Sequence, residues 1–184
     1  MARKKNRKGD PVHGWLNFNK PVEMTSTQAV GLVKRLFNAQ KAGHGGTLDP
    51  LADGVLPIAF GEATKTSAYA MDADKDYTFT IAWGSSTTTQ DREGDVVAQS
   101  GARASMEDIA AALATFVGDI EQVPPKFSAI KVNGERAYDL ARDGEEVELQ
   151  SRQVTLYEAR LDEASTRDKA IIHVTCGKGF YIRS

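Results

Sequence analysis

Of the two carboxylates in "AGHGGTLDPLADGVLP" (42–57), Asp49 stands between Leu48 and Pro50, just behind Gly43, Gly45 and Gly46. Glycines permit positive φ and let a ligand approach the backbone closely. Pro50 removes one backbone donor and turns Asp49 away from the helical region. The pattern predicts a rigid mount that aims an acid into the space the glycines leave open. An aspartate in such a place also commonly does no more than cap a turn, and on these residues alone both readings stand.

Five other positions carry chemistry of interest. Lys20 sits in "NFNKP", just before a turn, either as a solvated surface lysine or as a site residue. Tyr77 opens an alternating segment, either as an aromatic at the edge of a core or as a platform for a base, where stacking is worth about 1–3 kcal/mol per base. In "CGKGFYIR" (176–183), Tyr181 and Arg183 are two apart, so a strand would point them the same way. An arginine stays charged and binds a carboxylate bidentately, which suits a dry pocket. Asp49 and Arg183 in one cleft would be a working pair, because a buried carboxylate needs such a partner to stay ionised. His44 lies among the glycines as a base, a ligand contact or an ordinary loop residue. No serine or cysteine forms a triad signature with it, and neither a phosphate loop, a dinucleotide fingerprint nor a zinc deaminase signature is present.

These residues need elements to hold them. Residues 1–12 read as a basic, disordered arm, and 13–184 as one domain. "GWLNFNKP" (14–21) predicts a short strand entering a turn at Pro21. In 25–40, Ala29, Val30, Val33, Leu36 and Phe37 fall at helical spacing behind an N-cap at Thr25 or Ser26. Residues 42–57 read as a glycine-rich loop. "DYTFTIAWG" (76–84) sets Tyr77, Phe79, Ile81 and Trp83 against Thr78, Thr80 and Ala82, the alternation of a half-buried strand. Residues 85–95 read as polar loop. A helix is predicted over 105–119, opening on a Ser105…Asp108 capping box and stopping at Gly118. After the Pro124-Pro125 pair come a hairpin around Asn133-Gly134 and a brief helix, then strands over 152–161 and 170–183. Strands outnumber helices and short links join them, which predicts an α+β fold on a mixed, mainly antiparallel sheet.

Composition narrows the class. The chain has 184 residues, 41% hydrophobic and 26% charged, which is ordinary for a globular protein. No apolar run reaches bilayer length, and the basic N-terminus has no secretory h-region. One cysteine excludes an internal disulfide and suits a reducing cytoplasm. The three histidines and the cysteine show no zinc spacing, so no metal is expected. The net charge of −2 hides an asymmetry: residues 1–60 hold nine Lys/Arg against four Asp/Glu, and 61–184 hold fourteen against twenty-one. A basic first third points either to a polyanionic partner or to a solubilising tail.

Taken together, the motifs resemble those of the bacterial tRNA pseudouridine-55 synthases of the TruB type. "NKPVEMTS" (19–26), "AGHGGTLDPLADGVLPIAFGEATK" (42–65), "KDYTFTIAWG" (75–84), "PPKFSAIKVNGERAYDLARDGEEVE" (124–148) and "CGKGFYIRS" (176–184) match that family in order, over residues from about 13 to the end. The resemblance implies a bent, mainly antiparallel sheet flanked by helices, with a catalytic cleft across it. It implies a cofactor-free isomerisation in which one uridine of the tRNA T-loop is detached at its glycosidic bond and reattached through carbon 5. Asp49 falls on the catalytic aspartate, Tyr77 on the tyrosine that stacks on the target base and Tyr181 on a second active-site tyrosine suited to proton transfer. Arg183 falls on the arginine paired with the catalytic carboxylate and Lys20 on a supporting lysine. His44 falls on a histidine that fills the space left by the flipped base. With Gly45, Gly46 and Lys41 it forms the expected substrate-binding set, and the T-arm of tRNA is the expected partner. No guide RNA is expected, and a monomer in the cytoplasm is.

Two departures from the family pattern stand out. Asp53 replaces what is more often a small hydroxyl residue, and it is expected to face solvent, since facing the cleft it would raise the pKa of Asp49. The chain ends at Ser184, where the family continues through a further helix, a strand and an RNA-binding domain, so a fragment of a longer protein is expected. The alternative function is a fragment that binds and remodels tRNA loops without efficient turnover.

Overall fold

The computed structural model describes residues 8–128, 130–132, 135–136 and 149–184. The chain divides into two compact units, Met1–Ala73 and Asp74–Ser184, each with its own core.

The first unit is a three-stranded antiparallel sheet in the order β1-β3-β2, with β1 at Gly14–Lys20, β2 at Ala42–His44 and β3 at Gly54–Phe60. Along β1 the period of two turns Leu16 and Phe18, both partly buried, toward the core and exposes Trp15, Asn17 and Asn19. The same alternation carries Lys20 inward, where it is fully buried. Helix α1 (Ser26–Leu36) begins at a capping box: Thr25 is the N-cap, its hydroxyl accepts from Gln28 N–H, and the Gln28 amide oxygen accepts from Thr25 N–H. Ala29 and Val33 of α1 pack with Ala39, Leu56, Ile58 and Phe60. Ala42–His44, read from sequence as loop, pairs with β3 in the register Ala42↔Phe60, Gly43↔Ala59 and His44↔Ile58. A 3-10 helix (Gly61–Thr66) and the short α2 (Ser67–Asp72) follow, neither of them signalled by apolar periodicity. Part of the supposed arm is anchored: Asp10 N–H donates to Asn38 O, Gln40 N–H donates to Asp10 O, and Val12 packs on the core. Residues 1–7 lie outside the described residues.

The second unit is a four-stranded antiparallel sheet in the order β4-β11-β10-β7. Its strands are β4 (Lys75–Ala82), β7 (Gly118–Gln122), β10 (Arg152–Leu161) and β11 (Lys169–Cys176). The expected alternation holds on β4, where Tyr77, Phe79 and Ile81 turn toward Ile172, Val174 and Cys176 while Thr78 and Thr80 face out. On the outer face Thr78 pairs with His173 and Thr175 donates to Asp76, tying β4 to β11. Helix α3 (Met106–Thr115) has the predicted Ser105/Asp108 capping box and adds Ile109 to the core. It stops earlier than the sequence suggests, with its C-cap at Phe116, and Gly118 (φ +115°) opens strand β7 instead of closing the helix. The polar stretch 85–95 is not all loop, because β5 (Ser85–Thr87) pairs with β6 (Val96–Gln99). The expected hairpin is seen as β8 (Lys131–Val132) pairing with β9 (Glu135–Arg136), while the brief helix expected after it lies outside the described residues.

The larger correction concerns the last strand. β11 ends at Cys176, and Gly179 (φ +80°) sits in a turn, so Tyr181 and Arg183 do not alternate on a strand face. Backbone that would have laddered is taken by a side chain instead: Gln122 Oε1 accepts from Tyr181 N–H and Gln122 Nε2 donates to Tyr181 O.

Cys176 is fully buried, and burial pushes its thiol up to about 11. Near pH 8 the native thiol should alkylate with iodoacetamide at least about a hundredfold more slowly than an exposed one, because only the thiolate reacts. Denaturant should restore fast labelling, read by intact mass; rapid labelling of the native protein would contradict this packing.

Candidate functional site

Asp49 occupies the first position of a tight turn, with Ala52 N–H donating to Asp49 O at 3.1 Å and Pro50 second. Aspartate first and proline second is the residue order such turns favour. The turn is bracketed from both sides. Upstream, the buried Ser26 hydroxyl donates to Leu48 O and accepts from Leu48 N–H, each at 3.0 Å. Downstream, Pro50 O accepts from Glu23 N–H at 2.8 Å. Glu23 itself has φ +64°, a left-handed conformation that a side-chain-bearing residue rarely adopts.

Lys20 closes this arrangement. Its ammonium donates to Met24 O (2.7 Å) and Pro21 O (2.9 Å), and reaches Pro50 O at 3.5 Å. Burial holds its pKa below the usual lysine range, while the carboxylates of Asp53 and Asp49 act the other way. The structure therefore brings Lys20, Asp49 and Asp53 into one electrostatic neighbourhood. Asp53 is exposed, as its expected solvent-facing role requires.

The glycines divide by role. At Gly45 a Cβ would lie 2.6 Å from the Ala70 Cβ and 3.3 Å from the Trp15 ring, so the absent side chain makes room for α2 and β1. Gly43 and Gly46 have open space where a Cβ would stand, and Gly46 has φ +152°. His44 lies between them on β2, with Nδ1 buried and without a hydrogen-bond partner among the described residues. Lys41 is exposed just before β2, its carbonyl accepting from Gly61 N–H.

The second unit carries the other predicted residues. Tyr77 packs half-buried against the sheet core. A shallow pocket of about 260 Å³ opens on the opposite, solvent face of that sheet, among Asp76, Thr78, Glu158, Arg160, His173 and Thr175. Tyr77 borders it, but none of the other predicted residues does. Arg183 donates to Thr89 O (3.1 Å) and Phe127 O (2.9 Å) and lies 3.7 Å from Asp91 Oδ2. Asp91 also accepts from Thr89 Oγ1 and from Glu93 N–H, which braces the loop between β5 and β6. Sequence reasoning missed Asp91, Ser26 and Gln122. Only Ser26 had a signal, its place beside the N-cap of α1.

A family model described as TruB family pseudouridylate synthase (N terminal domain) matches residues 34–182. The chain belongs to this family. Over all 184 residues it is 56% identical to the tRNA pseudouridine synthase B of Caulobacter vibrioides, of which it covers 59%. It is 53% identical to the protein of the same name from Bartonella quintana, of which it covers 68%. The chain thus spans about six-tenths of the length of the first curated relatives it matches. Among solved structures, 98% of it superposes on 49% of a chain from a Cbf5-Nop10-Gar1 complex, at TM-score 0.67 and 28% identity. A chain of an H/ACA RNP bound to a substrate RNA containing 2'-deoxyuridine matches at TM-score 0.65 and 24% identity, a likeness of fold.

Substituting Lys20→Met keeps the length of the side chain but leaves the Pro21 and Met24 carbonyls without their donor. A loss on the order of 2 kcal/mol is expected, read as a lower urea midpoint. The pH dependence carries a sign. Between the lowered folded pKa and the unfolded value of 10.5 the unfolded chain binds more protons, so Lys20 makes stability rise with pH there. The difference between parent and Lys20→Met should show that rise, and a flat difference across alkaline pH would contradict it.

Proposed function

We propose that this chain is the catalytic part of an enzyme that isomerises uridine 55 in the T-loop of tRNA to pseudouridine. The observation that carries the reading is Asp49, fixed between two tethered neighbours in a chain of the pseudouridylate synthase family. The names of the full-length relatives support tRNA as the substrate.

The roles follow from chemistry and place. A uridine in a folded loop exposes its sugar carbon only after flipping out, at a cost of a few kcal/mol. Stacking on Tyr77 and filling of the vacated space by His44 offset that cost. Asp49 then acts on the nucleotide, either by attack or by starting proton abstraction at the sugar. The glycosidic bond breaks, the base turns, and carbon 5 bonds to the sugar as its hydrogen leaves as a proton. The freed ring nitrogen gains a proton, so the product is an isomer and no cofactor is consumed. Tyr181 is the candidate for the closing proton transfer, and Arg183 is the candidate cation to pair with the catalytic carboxylate. Lys41 contacts phosphate, while Gly46 and the open backbone at Gly43 admit RNA. Gly45 contributes by seating that segment against Ala70. Lys20 supports the turn that holds Asp49. The substrate arm of the tRNA is taken without a guide RNA or a metal, by a monomer in the cytoplasm. No helix among the described residues is long and apolar enough to cross a membrane.

Tritium release from 5-tritiated uridine in a tRNA transcript tests this directly. Release by the parent should fall at least about ten-thousandfold in Asp49→Ala, the scale for loss of an essential reacting group, while T-arm binding by filter retention persists. Equal release from both proteins would overturn the role of Asp49. Binding without release by the parent would assign it the binding and remodelling role instead.

A further inference from the structure

We propose that Ser26 is a positioning residue for Asp49, acting through the backbone of Leu48; the inference rests on the reading of Asp49 as the catalytic carboxylate. Ser26 is the first residue of α1 and 4% exposed, and its hydroxyl makes two bonds to one residue. It donates to Leu48 O and accepts from Leu48 N–H, both at 3.0 Å. A hydroxyl has one donor and two acceptor sites, so this reciprocal pair occupies its donor and one acceptor on the residue just before Asp49.

The alternative uses of such a group make the arrangement informative. Capping of α1 is complete without it, because Thr25 and Gln28 supply both bonds of the capping box. Leu48 packs its side chain on the unit's core, yet its peptide groups lie beyond the last β2–β3 pairing, His44↔Ile58, and have no strand to pair with. Ser26 takes the place of that missing strand. With Pro50 O held by Glu23 N–H and Lys20, the peptide groups on both sides of Asp49 are tied to the β1–α1 connection. The upstream tie is made wholly by one side chain, the Ser26 hydroxyl, which the capping box of α1 does not use.

Placement of a reacting group is steep in its effect, with about a hundredfold in rate at stake for a displacement of roughly 1 Å. Ser26→Ala, which removes both bonds and little volume, should lower the kcat for tRNA isomerisation by about ten- to a hundredfold with KM within about twofold. Ser26→Thr, which retains the hydroxyl, should recover most of that loss. Amide hydrogen exchange of the full chain supplies a readout independent of turnover: Leu48 should exchange at least about tenfold faster in Ser26→Ala, with α1 and β3 unchanged. A merely structural role would lower the melting temperature and speed exchange across the unit without splitting kcat from KM. Unchanged exchange at Leu48, or an unchanged kcat, overturns the proposal. An inactive parent would instead overturn the functional reading, and Leu48 exchange would still decide whether the tie exists.

Discussion

An ammonium group removed from water needs other oxygens around it, and at the end of β1 those oxygens can come only from backbone. Lys20 has no carboxylate bonded to it among its described contacts; its three donor sites go to the carbonyls of Pro21, Met24 and Pro50. Meeting that demand folds the segment after β1 back on itself and draws the turn after Asp49 against it. The left-handed Glu23 is part of the same geometry, its N–H meeting Pro50 O. The catalytic candidate is thus held by a set of peptide bonds arranged around one buried charge, and the charges of Asp49 and Asp53 partly offset the desolvation of that lysine.

The second unit works by a different economy of forces. Its sheet sets an apolar face against α3, with Ile109, Leu156 and Ile172 in the core, and ladders hydroxyls and acids along the outer face. Arg183 is treated there as Lys20 is in the first unit, with its guanidinium on the Thr89 and Phe127 carbonyls. The difference is that Asp91 adds a carboxylate nearby. In both units, then, a cation from a sequence motif organises loop backbone.

What the sequence made legible was whatever obeys a local period or a local hydrogen-bond rule. Alternation placed Tyr77, Phe79 and Ile81 on one face of β4, and the Ser105…Asp108 spacing marked the start of α3. Alternation on β1 also implies that Lys20 shares a face with Leu16 and Phe18, so its burial was written in the same period. Illegible were features decided by distant partners. The strand character of Ala42–His44 depends on β3, and that of Ser85–Thr87 on β6. β11 ends at Cys176, and beyond it Gln122, far away in sequence, captures the backbone of Tyr181. Ser26 stood beside a recognised cap, but nothing local shows that its hydroxyl belongs to Leu48. The motifs named the family, whereas the ties that hold Asp49 join residues more than twenty positions apart and leave no local pattern.

Gly45 has a consequence for how this protein can change over generations. Its missing side chain is the space that Ala70 and Trp15 occupy. An alanine at 45 is open only to a lineage that has already lost the methyl at 70, and a lineage that enlarges residue 70 closes off 45 still further. The two positions are therefore bound to an order of events, with α2 as the historical gatekeeper for a loop beside the candidate site. A change that fits without adjustment in one member of the family would force α2 to shift in another, although neither residue need ever touch RNA.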